Sequence, residues 1–259
     1  RTMNVIESRA KRCLLVFAIL AAIVAAGCAN PQPQPESKSE NGLVVILPGV
    51  EGNRWQLSGS VLGLRDAGID LEIDIIPWGS PPFHSIPNLT NYPENQKRAE
   101  RIAARIAEFK KDHPEAPVTL IGYSGGGGLA VMATEVLPDE VKLDRMILVG
   151  AAVSPDYDLT NVLSRCDHGL INFYSMADWF ILGVGTQIFG TIDRKYSPSA
   201  GHVGFLDGDK KLREELGLTQ IAWESDWMHS GHYGGHIGWL ARAWAREYLA
   251  PTIVASRHR

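Results

Sequence analysis

Cysteine is scarce: 3 in 259 residues, and Cys13 and Cys28 both belong to an N-terminal apolar leader. Cys166 is therefore alone in the body, which excludes an intramolecular disulfide there and reads as a small buried hydrophobe. Charge of one sign is also missing, since no run of Lys and Arg interleaves with aromatics. Setting aside Arg1, Arg9, Lys11, Arg12 and Glu7 of residues 1–27 leaves 21 Lys+Arg against 28 Asp+Glu, a body charge of −7. Such a body repels phosphate backbones, so nucleic acid is excluded as a partner. With 45% hydrophobic and 21% charged residues, 26 Gly and 15 Pro, the composition excludes disorder and collagen-like repeats. The chain is long enough for one α/β domain with a full core.

A long hydrophobic run is lacking too. Residues 13–26 (CLLVFAILAAIVAA) follow the basic stretch RAKR and are continuously apolar. As a helix they span about 21 Å, against a hydrocarbon core of about 30 Å. That is short for a membrane span and fits the h-region of a signal peptide over residues 1–27. Ala25-Ala26-Gly27-Cys28 resembles a bacterial lipoprotein lipobox, with Ala25 where such boxes usually carry a larger aliphatic residue. The resemblance implies cleavage before Cys28 and lipidation of its thiol, the alternative being plain cleavage or an uncleaved anchor. It further implies an exported protein of the cell envelope, lipid-anchored on the periplasmic side, with Ala29 favouring the outer membrane. Residues 28–41, rich in Pro, Gln and Ser, read as a tether between that anchor and a domain over 42–259.

From Gly42 on, short apolar runs alternate with helical patterns, the signature of parallel strands joined by crossover helices. Strands are predicted over 43–47, 69–76, 118–121, 145–150, 170–174 and 220–223. Four of the six lack clean alternation, as strands covered on both faces should. The fold class is thus α/β, a mostly parallel central sheet of about six strands with helices on both faces. The clearest helix spans about 94–111, with Ala99, Ile102, Ala103, Ile106 and Phe109 on one stripe and an Asn91/Glu94 capping box before it. A second is expected right after Ser124, and a last over about 238–249. Residues 179–217 show no repeated period and read as an insertion over the sheet edge or a lid.

Chemistry concentrates at Gly122-Tyr123-Ser124-Gly125-Gly126, a G-x-S-x-G between a buried-strand pattern and an apolar helix. A residue on so sharp a turn takes strained dihedrals, and its neighbours two before and two after must be small. The turn exposes Ser124 Oγ above a helix N-terminus and offers the Gly125 N–H as a donor to an oxyanion. GYSGGGG lacks the Lys of a Walker loop and the phase of G-x-G-x-x-G, which leaves a phosphate loop or a plain turn as minor readings.

With this nucleophile elbow in place, residues 42–259 resemble the α/β-hydrolase superfamily. In that family an oxyanion loop follows the first core strand, and here Pro48-Gly49-Val50-Glu51-Gly52 follows LVVIL, with Pro48 where the family often carries His. The resemblance implies the Val50 N–H as second oxyanion donor and a His after the final strand as base. His229, His232 and His236 fall in that window. His236 is preferred because a Gly-Gly hinge precedes it, and His232 is the alternative base. Asp178, after the predicted strand LINFY, fits the family's acid, with Asp156 or Asp158 in reserve.

These residues imply a serine hydrolase that cleaves a carboxylic ester, of a small molecule or a lipid, through a Ser-His-Asp triad and an acyl-enzyme, with no metal or organic cofactor. Thioesterase, amidase and acyltransferase chemistry use the same constellation. Two alternatives come from other classes. One is a non-catalytic surface lipoprotein that kept the fold. The other is a metallohydrolase, since His232 and His236 are four apart, although Gly234-Gly235 argues against a shared helix and no Glu follows His232 as in H-E-x-x-H.

Overall fold

A computed structural model describes residues 39–79, 85–206 and 217–254. The leader, Cys28 and the tether as far as residue 38 lie outside the described residues, as do 207–216 of the aperiodic stretch. Tether residues Ser39–Asn41 form a single 3-10 turn, and the Asn41 amide donates to Asp70. In chain order the main elements are β1 (Leu43–Leu47), α1 (Ser58–Asp66), β2 (Glu72–Ile75), α2 (Ser85–Thr90), α3 (Tyr92–Asp112), β3 (Val118–Tyr123), α4 (Gly125–Glu135), β4 (Arg145–Val149), α5 (Thr160–Ser164), β5 (Leu170–Tyr174), α6 (Thr186–Phe189), α7 (Ala200–Val203) and β6 (Leu218–Ala222). A helical run over residues 242–254 follows.

The six strands form one parallel sheet in the order β2-β1-β3-β4-β5-β6. β1, β3 and β4 are buried along their whole length and β5 all but its last residue, whereas the edges β2 and β6 are only partly covered. That is why the four central strands read as largely apolar runs, interrupted only at Thr119, Arg145 and Asn172. Alternate residues still sort by face. Leu43, Val45, Leu47, Val118, Leu120, Met146 and Leu148 pack on α3, α4 and α5. On the opposite face Val44, Ile46, Ile121, Tyr123, Ile147 and Val149 pack on α1 and the C-terminal run, where Phe173, Trp227, Trp239 and Trp244 meet edge to face or tilted.

The helix α3 starts two residues before the expected start and ends one past the expected end. The Asn91 side chain accepts from Glu94 N, one half of a capping box, while Asn91 N donates to Pro87 O and the Glu94 carboxylate turns to Arg101. The final helix starts later than its periodicity suggests. Residues His236–Leu240 form a 3-10 turn, Ala241 is extended, and α-helical geometry resumes at Arg242. A Cβ on Gly238 would lie 2.4 Å from His232 Nδ1, so the 3-10 turn passes directly against an imidazole and only a glycine fits there.

Within the stretch expected to be an insertion or lid, three residues are fixed in the core, whereas Trp179, Ile188 and Tyr196 are exposed. Ile192, Ala200 and Phe205 belong to the same cluster as α4. Their strand-like bonds run to the exit of β4: Ile192 N to Ala152 O, Ala200 N to Val153 O and Gly201 N to Ala151 O. Ile192 sits so tightly on α4 that a Cβ on Gly128 would lie 1.8 Å from its Cγ2. Cys166 is buried as expected, and burial pushes its thiol up to about 12. No described helix is long and apolar enough to cross a membrane.

Gly128→Ala is expected to cost about 1–3 kcal/mol by overpacking. Ile192→Ala, costing about 2–5 kcal/mol alone, should cost distinctly less in the Gly128→Ala background, because the two share one contact. Urea midpoints of the four proteins check this, and additive losses would mean that Ile192 does not rest on α4.

Candidate active site

The order of strands places a topological switch between β1 and β3, the crevice where open α/β sheets bind ligands. Register pairs Leu47 with Gly122 and Tyr123 with Val149, so the loops leaving β1, β3 and β4 emerge side by side. Ser124 lies in the turn between β3 and α4 with φ 55° and ψ −123°, one of two described non-glycine residues at positive φ. The turn closes only because its flanks lack side chains. A Cβ on Gly122 would lie 2.5 Å from Gly127 Cα, and one on Gly126 would lie 2.3 Å from Pro48 O. Ser124 O is itself held by Gly127 N and Ala152 N.

His236 arrives from the loop after β6 and Asp178 from the loop after β5. Ser124 Oγ lies 2.8 Å from His236 Nε2, and His236 Nδ1 lies 2.6 Å from Asp178 Oδ2. A carboxylate can only accept, so Nδ1 carries the ring proton and Nε2 accepts from the hydroxyl. All three side chains are nearly enclosed, with Asp178 2% and Ser124 4% exposed. Ser175 ties the two loops together: its Oγ donates to Gly234 O at 2.7 Å and accepts from Ala177 N, while its carbonyl accepts from Asp178 N. Gly234, at φ 84°, lets the loops touch, since a Cβ there would meet Ala177 Cβ at 2.7 Å.

The other expected residues go elsewhere. His232 is fully buried, and its Nδ1 accepts from Gly234 N at 3.1 Å. Its ring stands edge-on to Trp239 at 4.0 Å, its Nε2 has no partner among the described residues, and Trp223 donates to its carbonyl. Burial, then the neighbouring His236, pulls its pKa down to about 3, so it is a neutral structural ring under the loop that carries His236. His229 is exposed and lies between Asp226 O and Glu247, two acceptors whose hydrogen bonds raise its pKa, Glu247 the more strongly. The three histidines thus face three different partners, and among the described residues no group of three His, Cys, Asp or Glu is arranged to hold a metal. Asp156 is exposed toward Lys195 Nζ at 3.9 Å, and Asp158 accepts from Thr160 N at the start of α5. Neither carboxylate meets His236.

Val50 and Gly125 come together. Val50 N lies 3.4 Å from where a Cβ on Gly125 would be. As the first residue of α4, Gly125 has no intrahelical partner for its N–H. An imidazole bridging a hydroxyl and a carboxylate, beside two such amides, can take up the hydroxyl proton and steady a negative oxygen.

Tyr123 escapes a reading from sequence, since it is the variable position of G-x-S-x-G. Its hydroxyl donates to His236 O at 3.1 Å, and its ring lies 5.1 Å from the imidazole. Burial and then Asp178 hold the phenol well above its ordinary pKa, so it remains a neutral donor. Asn88, which matches a glycosylation sequon, is 1% exposed and donates its amide to Val50 O, so it serves the site loop instead.

No family model matches the chain, and no curated protein matches it. Similar solved structures include a CIB-like hydrolase from Thermoplasma acidophilum, at 14% identity and TM-score 0.48, covering 86% of this chain and 90% of that one. The RedJ thioesterase of prodiginine biosynthesis in Streptomyces coelicolor gives 15% identity and TM-score 0.44, covering 90% and 93%. A Trichoderma reesei cutinase in complex with a phosphonate inhibitor gives 12% and 0.41, covering 92% and 85%. Identities this low carry no activity across.

The neutral His232 has a consequence for stability. Its folded pKa is depressed from about 6.5 to about 3. The unfolded chain therefore binds a proton in that window while the folded chain does not. Stability should fall as pH drops from about 6.5 toward 3, by up to about 1.4 kcal/mol per pH unit from this group. Urea denaturation across pH checks it: His232→Phe should cost about 1–3 kcal/mol at pH 7 through the orphaned Gly234 N–H, yet show a flatter acid limb. An equal acid slope in both proteins would assign the dependence to other groups.

Proposed function

We propose that this chain is an exported, lipid-anchored serine hydrolase that cleaves a carboxylic ester. The observation that carries the proposal is the unbroken chain from Ser124 Oγ through His236 to Asp178, with spacings of 2.8 and 2.6 Å. The two reserve acids and the alternative base are all engaged elsewhere.

In this reading Ser124 Oγ attacks the ester carbonyl carbon as its proton passes to His236 Nε2. Asp178 holds the imidazole in the required tautomer and stabilises the imidazolium that forms. The carbonyl oxygen becomes an oxyanion facing the N–H groups of Val50 and Gly125. Its collapse expels the alkoxide, which takes the proton from His236 and leaves an acyl-Ser124. A water then gives its proton to His236 and attacks the acyl carbon, and Ser124 recovers that proton as the carboxylic acid departs. The cycle balances without a metal or organic cofactor. Strain at Ser124 favours an enzyme over a non-catalytic surface module, since a scaffold gains nothing from holding a serine at φ 55°.

Anchoring rests on the leader and Cys28. The substrate is a small-molecule or lipid ester that reaches the envelope.

Treatment of the purified chain with a fluorophosphonate should give one adduct, on Ser124, that is missing from Ser124→Ala. Turnover of a p-nitrophenyl ester should fall on the order of 10⁶-fold in Ser124→Ala and in His236→Ala alike, because the pair acts as a unit. Asp178→Asn should lose about 10⁴-fold. A folded wild type that takes no label removes the mechanism. For the anchor, Cys28→Ser should shift the protein from the membrane fraction to the soluble one, and unchanged partitioning would rule out lipidation at that thiol.

A further inference from the structure

The loop after β1 must hold the Val50 N–H still, and three successive peptide planes show how it is held. The Pro48–Gly49 plane is pinned at both ends, with Pro48 O accepting from Trp78 Nε1 at 2.7 Å and Gly49 N donating to Gln56 Oε1 at 3.1 Å. The Gly49–Val50 plane is pinned at its carbonyl, which accepts from Gly52 N at 2.8 Å. Because a trans peptide is planar, that bond directs the Val50 N–H to the opposite side. The Val50–Glu51 plane is pinned at its carbonyl by Asn88 Nδ2 at 2.8 Å. Every carbonyl from Pro48 to Val50 is thus held, while the Val50 N–H, like the Glu51 N–H after it, makes no hydrogen bond among the described residues.

Two of these pins, Trp78 and Asn88, converge on one buried cation. Arg98 of α3 is 7% exposed. Its guanidinium lies over the Trp78 ring, 5.5 Å from the centroid. Its Nη2 donates to Asn88 Oδ1 at 3.2 Å and its Nη1 to Asn95 Oδ1 at 2.8 Å, while Asn95 Nδ2 donates back to Asn88 O at 2.9 Å. A guanidinium only donates, so it forces the Asn88 oxygen toward itself and the Asn88 NH₂ toward Val50 O. The same planar group limits how the Trp78 ring can tilt, and with it the Nε1–H aimed at Pro48 O. Lysine offers neither the fork nor the flat stacking face.

We infer that Arg98 is a positioning residue for the oxyanion loop, acting through Trp78 on Pro48 and through Asn88 on Val50. The inference rests on the proposed role of Ser124. It adds a residue outside the Ser124, His236 and Asp178 set, on a helix behind the loop, that sets how fast the reaction runs without touching the ester.

The test compares the full-length chain with Arg98→Lys, Trp78→Phe and the double variant, using p-nitrophenyl acetate. Trp78→Phe keeps an aromatic ring under the guanidinium and removes the donor to Pro48 O, together with part of the indole's buried volume. Losing one oxyanion donor outright costs 10²–10³-fold in kcat, so misaiming it should cost less. Arg98→Lys is expected to lower kcat about 10- to 100-fold with KM within about twofold, and Trp78→Phe about tenfold. The double variant should be no more than about twofold slower than Arg98→Lys, because both changes release the same loop. The pH profile of kcat/KM should keep its shape, since His236 and Asp178 are untouched. Wild-type kcat in either folded single variant, a loss that appears in KM, or losses that multiply in the double variant would each overturn the inference. Should Arg98→Lys fail to fold, Trp78→Phe alone decides by its kcat. A wild type that neither turns over nor takes a fluorophosphonate is a different failure, visible before any variant is made, and it removes the hydrolase reading and this inference together.

Discussion

The backbone of Ser124 is the constraint on which the rest of the site depends. Holding a serine at φ 55° and ψ −123° costs of order 1–3 kcal/mol, and the turn has no side chain of its own to offset that. The offset comes from the sheet: Ser124 N donates to Val149 O on β4, and Ser124 O accepts from Gly127 N and Ala152 N. Gly126 lies against Pro48 O, and Gly122 against Gly127 and Gly126. The strained residue is therefore locked between three parallel strands whose register is set by apolar burial on both faces. Disturbing β1 or β4 would release the turn as surely as replacing a glycine within it.

Around that fixed point each site loop is held by polar groups drawn from a different element. The acid loop is closed on the base loop by Ser175, the base loop is hung from β3 by Tyr123, and the oxyanion loop is pinned by Asn88 of α2, itself held by Arg98 of α3. Buried polar networks rigidify only when fully satisfied, and these bonds satisfy carbonyls in segments with no ladder of their own. Loops at the carboxyl ends of parallel strands have few apolar contacts to fix them. Side-chain to backbone bonds take over that task here.

Much of the architecture is legible in the sequence because burial writes it in composition. The four central strands are apolar at nearly every position, the exceptions being Thr119, Arg145 and Asn172, α3 has a clean stripe with a cap, and Gly122 and Gly126 mark the tight turn. Ser124, His236 and Asp178 fall where a strand-loop pattern would put them. Their mutual distances depend on the register of four strands, which no local pattern encodes. The edge strand β2 begins at Glu72 rather than Ile69, since Gly68 and Ile69 are spent closing the turn after α1. What stayed hidden are contacts between distant residues with unremarkable neighbours: Arg98 reads as one more charge on the polar face of α3, and Asn88 as a stray sequon. Only the fold brings them to Pro48 and Val50. The aperiodic stretch is illegible for a related reason, because its described buried apolar residues, Leu182, Ile192, Ala200 and Phe205, are too far apart in sequence to make a period.

The three histidines of the loop after β6 show how environment, rather than residue type, divides the work. His229 sits in solvent between two acceptors and is biased toward the cation. His232 is enclosed by Trp227, Trp239 and Trp244 and is held neutral. His236 alone meets both a hydroxyl and a carboxylate. A base must exchange protons with its surroundings, and a fully buried ring with one nitrogen committed to Gly234 N–H cannot do so without breaking the loop that holds it. His232 therefore contributes by remaining neutral: its ring lies under Gly238, its acceptor closes the turn at Gly234, and both fix the backbone from which His236 reaches Ser124. Spacing makes His232 and His236 look interchangeable as bases, whereas burial makes one the support of the other.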